Sequence, residues 1–152
     1  MEAIPKEKKA ITILLADDDE EDRMLTEEAL EENNISDNLH FVEDGEEAMD
    51  YLQRRGKYAD TKKYPLPELI LLDLNMPKKD GREVLAEIKN DPKLKGIPVV
   101  VLTTSNAPED IEKMYGLGVN SFITKPVSYA GMALAMKSLK QYWLDVVSLP
   151  KR

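Results

Sequence analysis

Three apolar runs with almost no polar interruption constrain this chain most: ITILLA at 11–16, LILLD at 69–73 and VVVLTT at 99–104. Successive side chains of a strand point to opposite faces of its sheet, so a strand with one wet face alternates apolar and polar residues. A run that is apolar at every position needs both faces covered. That is the situation of a central strand in a parallel sheet with helices packed on both sides. Two shorter runs, LHFVE at 39–43 and SFIT at 121–124, read as further strands.

Segments of helical period separate the runs. Residues 21–33 carry Leu25, Ala29 and Leu30 on one side, 46–55 carry Ala48, Tyr51 and Leu52, and 82–90 carry Val84, Leu85 and Ile88. Residues 107–116 carry Ile111, Met114 and Tyr115, and 128–144 carry Met132, Met136, Leu139 and Trp143. These are the i, i+3, i+4 and i+7 spacings of amphipathic helices. Ser105 or Asn106 is suited to cap the fourth helix, with Pro108 tolerated in its first turn and Gly116 and Gly118 where it should stop. Strand and helix thus alternate five times. Right-handed crossovers then give a three-layer α/β sandwich around a parallel sheet. GKYADTKKYPLPE at 56–68 reads as a polar surface loop and a candidate partner contact.

Composition narrows the function. A chain of 152 residues, 42% hydrophobic and 33% charged, suits one soluble domain with a real core. The net charge of −8 argues against nucleic acid as a direct partner, because phosphate binding needs clustered Lys and Arg. The absence of cysteine excludes disulfides, thiolate metal sites and a Cys nucleophile. No apolar stretch approaches the ~18 residues of a membrane span. MEAIPKEKKA has no apolar core of a secretory signal, so a cytoplasmic location is expected.

In open parallel sheets, ligands bind beyond the carboxyl ends of the strands. Asp17 and Asp18 stand at the end of the first strand, Glu43 and Asp44 of the second, Asp73 of the third, Thr103 and Thr104 of the fourth, and Lys125 of the fifth. If the strand order is 2-1-3-4-5, the first, third, fourth and fifth strands lie side by side, and Asp17, Asp18, Asp73, Thr103 and Lys125 converge. Carboxylates so close repel, and a hard divalent cation such as Mg2+ relieves the conflict with oxygen ligands. With Lys125 supplying a further positive charge, the group suits an aspartate nucleophile that accepts a phosphoryl group. Thr103 would hydrogen-bond that group once bound.

DDD at 17–19, DLNMPKKDG at 73–81, VLTTS at 101–105 and FITKP at 122–126 resemble, in order and spacing, the receiver domain of two-component response regulators. The resemblance covers roughly residues 10–145 and implies a (βα)5 doubly wound, flavodoxin-like fold of order 2-1-3-4-5. It implies a domain at 11–145, with tails at 1–10 and 146–152 and no output domain. It makes Asp73 the phosphoacceptor, Asp18 the principal metal carboxylate, Asp17 its neighbour acting through water, and the Asn75 backbone carbonyl a further ligand of Mg2+ or Mn2+. Thr103 matches the hydroxyl that moves onto the phosphoryl group, Lys125 its ion-pair partner, and Phe122 the aromatic switch position, more often Tyr. A Phe there leaves the switch to packing. Asn75 and Ser105 match the positions that tune acyl-phosphate lifetime, and the Lys125–Pro126 bond is expected to be cis. The long loop before the third strand, NMPKKDGREVL and the ending YWLDVV are similar to small regulators paired with bacterial and cyanobacterial phytochrome kinases. The implied partners are a sensor histidine kinase, a second copy of the chain and a downstream phosphotransfer protein.

Plainer roles account for other conspicuous residues. Asp19, Glu20, Glu21 and Asp22 complement a helix N-terminus, which favours acids by ~0.3–1 kcal/mol each. His40, the single histidine, lies inside a strand and reads as structural, so a phosphoryl donor has to come in trans. Met132 and Met136 read as core, while Tyr142 and Trp143 are candidates for an interaction face. Two rival functions remain. An aspartyl phosphatase needs a second acid two residues after its nucleophile, where this chain has Asn75. A receiver-like scaffold that binds partners without phosphorylation has no positive support in the sequence, since every required residue is present.

Overall fold

The computed structural model describes residues 11–35, 38–104, 107–126 and 128–141. Five parallel strands, β1 (Thr12–Ala16), β2 (Asn38–Val42), β3 (Leu69–Leu72), β4 (Val99–Thr103) and β5 (Ser121–Thr124), form one sheet of order β2-β1-β3-β4-β5. The three near-continuous apolar runs are its three inner strands, and every residue of β1, β3 and β4 is buried. The two edge strands are partly exposed, as a sheet edge requires.

The alternation of side chains along these strands divides the core in two. Leu14, Ala16, Ile70, Leu72, Val99 and Val101 pack under α2 (Gly45–Leu52), α3 (Gly81–Asn90) and α4 (Pro108–Gly116). Ile13, Leu15, Leu69, Leu71, Val100 and Leu102 pack under α1 (Glu20–Glu32) and α5 (Tyr129–Leu139). Burial of that much aliphatic surface, at roughly 25 cal/mol per Å2, drives the fold. Asn33 fastens the second face, donating from Nδ2 to the Ala133 carbonyl at 3.1 Å. Among the described residues no helix is long and apolar enough to cross a membrane.

Four sequence expectations need correction. The N-cap of α4 is Ala107, which offers no side-chain acceptor; Pro108 does open the helix, and Ser105 and Asn106 lie outside the described residues. Tyr115 of α4 is 51% exposed instead of core. The second helix ends at Leu52, three residues short of the expected 55. The loop at 56–68 is not simply surface: it contains a 3-10 turn (Gly56–Ala59), and Tyr58 and Tyr64 pack with Tyr51 at ring-centroid distances of 5.0 and 5.9 Å. The Tyr58 hydroxyl donates to Glu47 Oε2 at 2.7 Å and the Tyr51 hydroxyl to the Pro65 carbonyl at 2.8 Å, so burial leaves both phenols satisfied. His40 completes this aromatic group, 5.8 Å from the Tyr51 ring, as a half-buried structural residue. Tyr142 and Trp143 lie outside the described residues.

Candidate functional site

Sheet hydrogen bonding continues one residue past the strands and aims their loops. The Asp17 N–H donates to the Val42 carbonyl at 3.1 Å, Asp73 N–H to Ala16 at 2.9 Å and Lys125 N–H to Thr103 at 2.7 Å. Each acid then turns its chain: Asp17 Oδ1 accepts from the Asp19 N–H at 3.0 Å, and Asp73 Oδ1 from the Asn75 N–H at 3.2 Å. Such side-chain-to-backbone bonds start a turn directly after a strand. Gly81 lets α3 approach the acid loop. A Cβ there would lie 2.2 Å from the Asp73 carbonyl oxygen.

Asp17, Asp73, Thr103 and Lys125 are all buried at the carboxyl edge, with Asp18 exposed beside them. Lys125 Nζ lies 2.7 Å from Asp17 Oδ2, 2.8 Å from Asp22 Oδ2 and 3.1 Å from Asp73 Oδ2. Burial pushes the Asp17 carboxyl up to about 6, against the opposing pull of Lys125. Burial also works against the Lys125 charge, but its close contacts with Asp17 and Asp22 and the Asp73 charge outweigh it and hold the ammonium above its usual pKa.

The acids fit a hard cation. One carboxylate oxygen from each of Asp17, Asp18 and Asp73 lies within 4.8 Å of the others. Asp17 Oδ2 is buried and, despite its close ion pair with Lys125, has no hydrogen bond of acceptable direction. A buried charged oxygen with an open lone pair, in an all-oxygen donor set, suits Mg2+ or Mn2+.

The structure brings together most of the residues nominated from sequence. Asn75 Nδ2 is 3.5 Å from Thr103 Oγ1, at the limit of a hydrogen bond. Phe122 sits apart in β5, half-buried, lining with Tyr115 and Leu139 a groove of about 400 Å3. Ser105 lies outside the described residues. The Lys125–Pro126 bond is trans, not cis. Trans is the intrinsically favoured isomer by about 0.5–1 kcal/mol, and Lys125 reaches the pocket from it. One site residue escaped the sequence reading: Asp22, assigned only to the start of a helix. The signal was present, because Asp22 lies four residues before Thr26 and eight before Leu30, in line with the buried face of α1.

An acidic metal pocket and a buried lysine at the carboxyl edge of a 2-1-3-4-5 sheet define the receiver class of signalling modules, and the chain belongs to that family: the family model for the response regulator receiver domain matches residues 13–147. Its sequence is 46% identical over 138 residues to response regulator Rcp1 of Synechocystis sp., covering 91% of this chain and 92% of that one. The phosphorylated cyanobacterial phytochrome response regulator RcpA shares its fold with a TM-score of 0.86 at 46% identity, over 93% of this chain and 99% of that one. The Mn2+-bound form of Rcp1 matches with a TM-score of 0.84 at 45% identity, with the same coverage.

Proposed function

We propose that Asp73 accepts a phosphoryl group from the phosphohistidine of a sensor kinase, with a divalent cation held by Asp18, Asp73 and the Asn75 carbonyl, and by Asp17 through water. The observation that carries this reading is Lys125 Nζ, 3.1 Å from Asp73 Oδ2 and buried among the acids of the metal pocket. An Asp73 oxygen attacks phosphorus and a P–O bond forms. The donor's P–N bond breaks, and its electron pair stays on the imidazole nitrogen. A cation there would offset charge on the transferring group; Lys125 pairs with a phosphoryl oxygen, and Thr103 donates its hydroxyl to another. The only histidine of the chain, His40, is packed against Tyr51 and Tyr64 inside β2, which supports a donor in trans.

The reading extends to the partners. The likeness to the phytochrome response regulator RcpA supports a phytochrome-type histidine kinase as the donor, and the location proposed is the cytoplasm. Phosphorylation adds charge and acceptor oxygens, and movement of Thr103 with repacking of Phe122 would bias the α4–β5–α5 face between two states. A second copy of the chain and a downstream phosphotransfer protein are the candidate readers of that face. Self-phosphorylation from small donors and slow dephosphorylation, with Asn75 and Ser105 setting the lifetime, complete the reading. Incubation with phosphoramidate and Mg2+ tests it: the wild type should gain acid-labile phosphate that Asp73→Asn lacks. Equal labelling of both would sink the assignment, and turnover of a generic phosphomonoester would favour a phosphatase.

A further inference from the structure

We propose that Asp22 is a positioning residue for the phosphoryl site: it draws part of the Lys125 charge toward α1, against the phosphoryl group, and shields the metal pocket from that charge. The inference rests on the phosphoacceptor reading. An ammonium has three hydrogens, and the Lys125 ammonium faces carboxylate oxygens of Asp17, Asp22 and Asp73 at 2.7, 2.8 and 3.1 Å. Asp17 and Asp73 belong to the metal pocket. Asp22 does not. It comes from the first turn of α1, its side chain is 33% exposed where those of Asp17 and Asp73 are 1% and 7%, and its carboxylate approaches Lys125 from outside the metal cluster.

This placement has two electrostatic consequences of opposite sign. Lys125 repels a divalent cation bound by the neighbouring acids, and Asp22 offsets that repulsion, so it favours the metal. When Asp73 becomes an acyl phosphate, its hold on the ammonium passes to a phosphoryl oxygen, while Asp22 keeps its own. The ammonium is then shared, and the Asp22 charge also repels the incoming group, so Asp22 disfavours phosphorylation. A residue that only complemented the α1 N-terminus would produce neither effect.

Asp22→Asn keeps the shape and an acceptor oxygen but removes the charge. Even at the dielectric constant of bulk water, a unit charge about 6 Å away is worth a factor of about three, so that factor is a lower bound. In Asp22→Asn, calorimetry with Mg2+ alone should give a dissociation constant raised about threefold, and phosphoramidate labelling at saturating Mg2+ should speed up about threefold. Glu21→Gln removes an exposed charge from the same helical turn and should leave both quantities unchanged. Asp22→Ser, which suits a helix start, repeats the measurement should the asparagine variant fold poorly. Unchanged affinity or rate, two shifts that both weaken or both strengthen, or equal effects in Glu21→Gln would overturn the proposal. Failure of the wild type to be labelled at all would instead strike the phosphoacceptor reading, and the Mg2+ titration would still judge the Asp22 contribution to the metal pocket.

Discussion

The β1–β3 half of the molecule and the β5–α4 half meet at one site but are held by different forces. In the first half every residue of β1 and β3 is buried, and α3 buries Gly81, Val84, Leu85 and Ile88 behind a side-chain cap from Asp80. In the second, no residue of β5 is fully buried, and α4 buries Met114 alone behind an Ala107 cap with no acceptor. Beyond Met114, which shares the core with Val84, Leu85 and Ile88 of α3, an ion pair ties α4 to α3: Arg82 Nε and Nη2 donate to Asp110 Oδ1 and Oδ2 at 3.0 and 2.7 Å, while Nη1 bonds Asp80. A packed helix face is worth several kcal/mol, whereas a surface-near ion pair is worth about 1 kcal/mol or less. The acids that would do the chemistry are thus fixed by the core, and the element that would report it rests on less packing, Met114, and one ion pair.

The largest expected effect lies in the first half. Leu72→Ala removes a fully buried side chain of β3 and should cost about 2–5 kcal/mol in urea unfolding. A loss below about 1 kcal/mol would mean that this half is not held by its core.

Next comes the pH dependence of the same half. The Asp17 carboxyl is raised from 3.8 to about 6 by burial, so between those values the folded state binds more protons than the unfolded one. Stability of the metal-free protein should therefore fall as pH rises through that window, by on the order of 2 kcal/mol. Urea midpoints at pH 4 and pH 7 in the presence of a chelator should show this fall, and saturating Mg2+ or the substitution Asp17→Asn should reduce it. The same fall in Asp17→Asn would assign it elsewhere.

In the second half, Asp110→Asn should change global stability by less than about 1 kcal/mol. Hydrogen exchange, however, should speed up across residues 108–116 and not across α3. Equal acceleration in both helices would erase the contrast between them. Tyr115→Ala should matter least, within about 0.5 kcal/mol, because its ring is 51% exposed. A cost above about 2 kcal/mol would show α4 to be anchored by packing after all.

How much of this could be read beforehand differs residue by residue. Asp17, Asp73, Thr103 and Lys125 were legible because each directly ends or follows an apolar run, and strand ends in a parallel sheet share one edge. Tyr58 and Tyr64 were not, because the loop that carries them has no periodicity and their packing depends on Tyr51 and His40 from other elements. The exposure of Tyr115 escaped for another reason: spacing says which residues share a helix face, not how deeply that face is buried.

The sequence by itself determined a buried parallel sheet and an acidic carboxyl edge with a lysine, since all-apolar strands must be covered on both faces and their ends point one way. Only the tertiary structure decided which acids hold that lysine. Asp22 and Lys125 are 103 residues apart. No local pattern encodes that contact; it exists because α1 packs against the sheet with Asp22 turned inward, toward the end of β5.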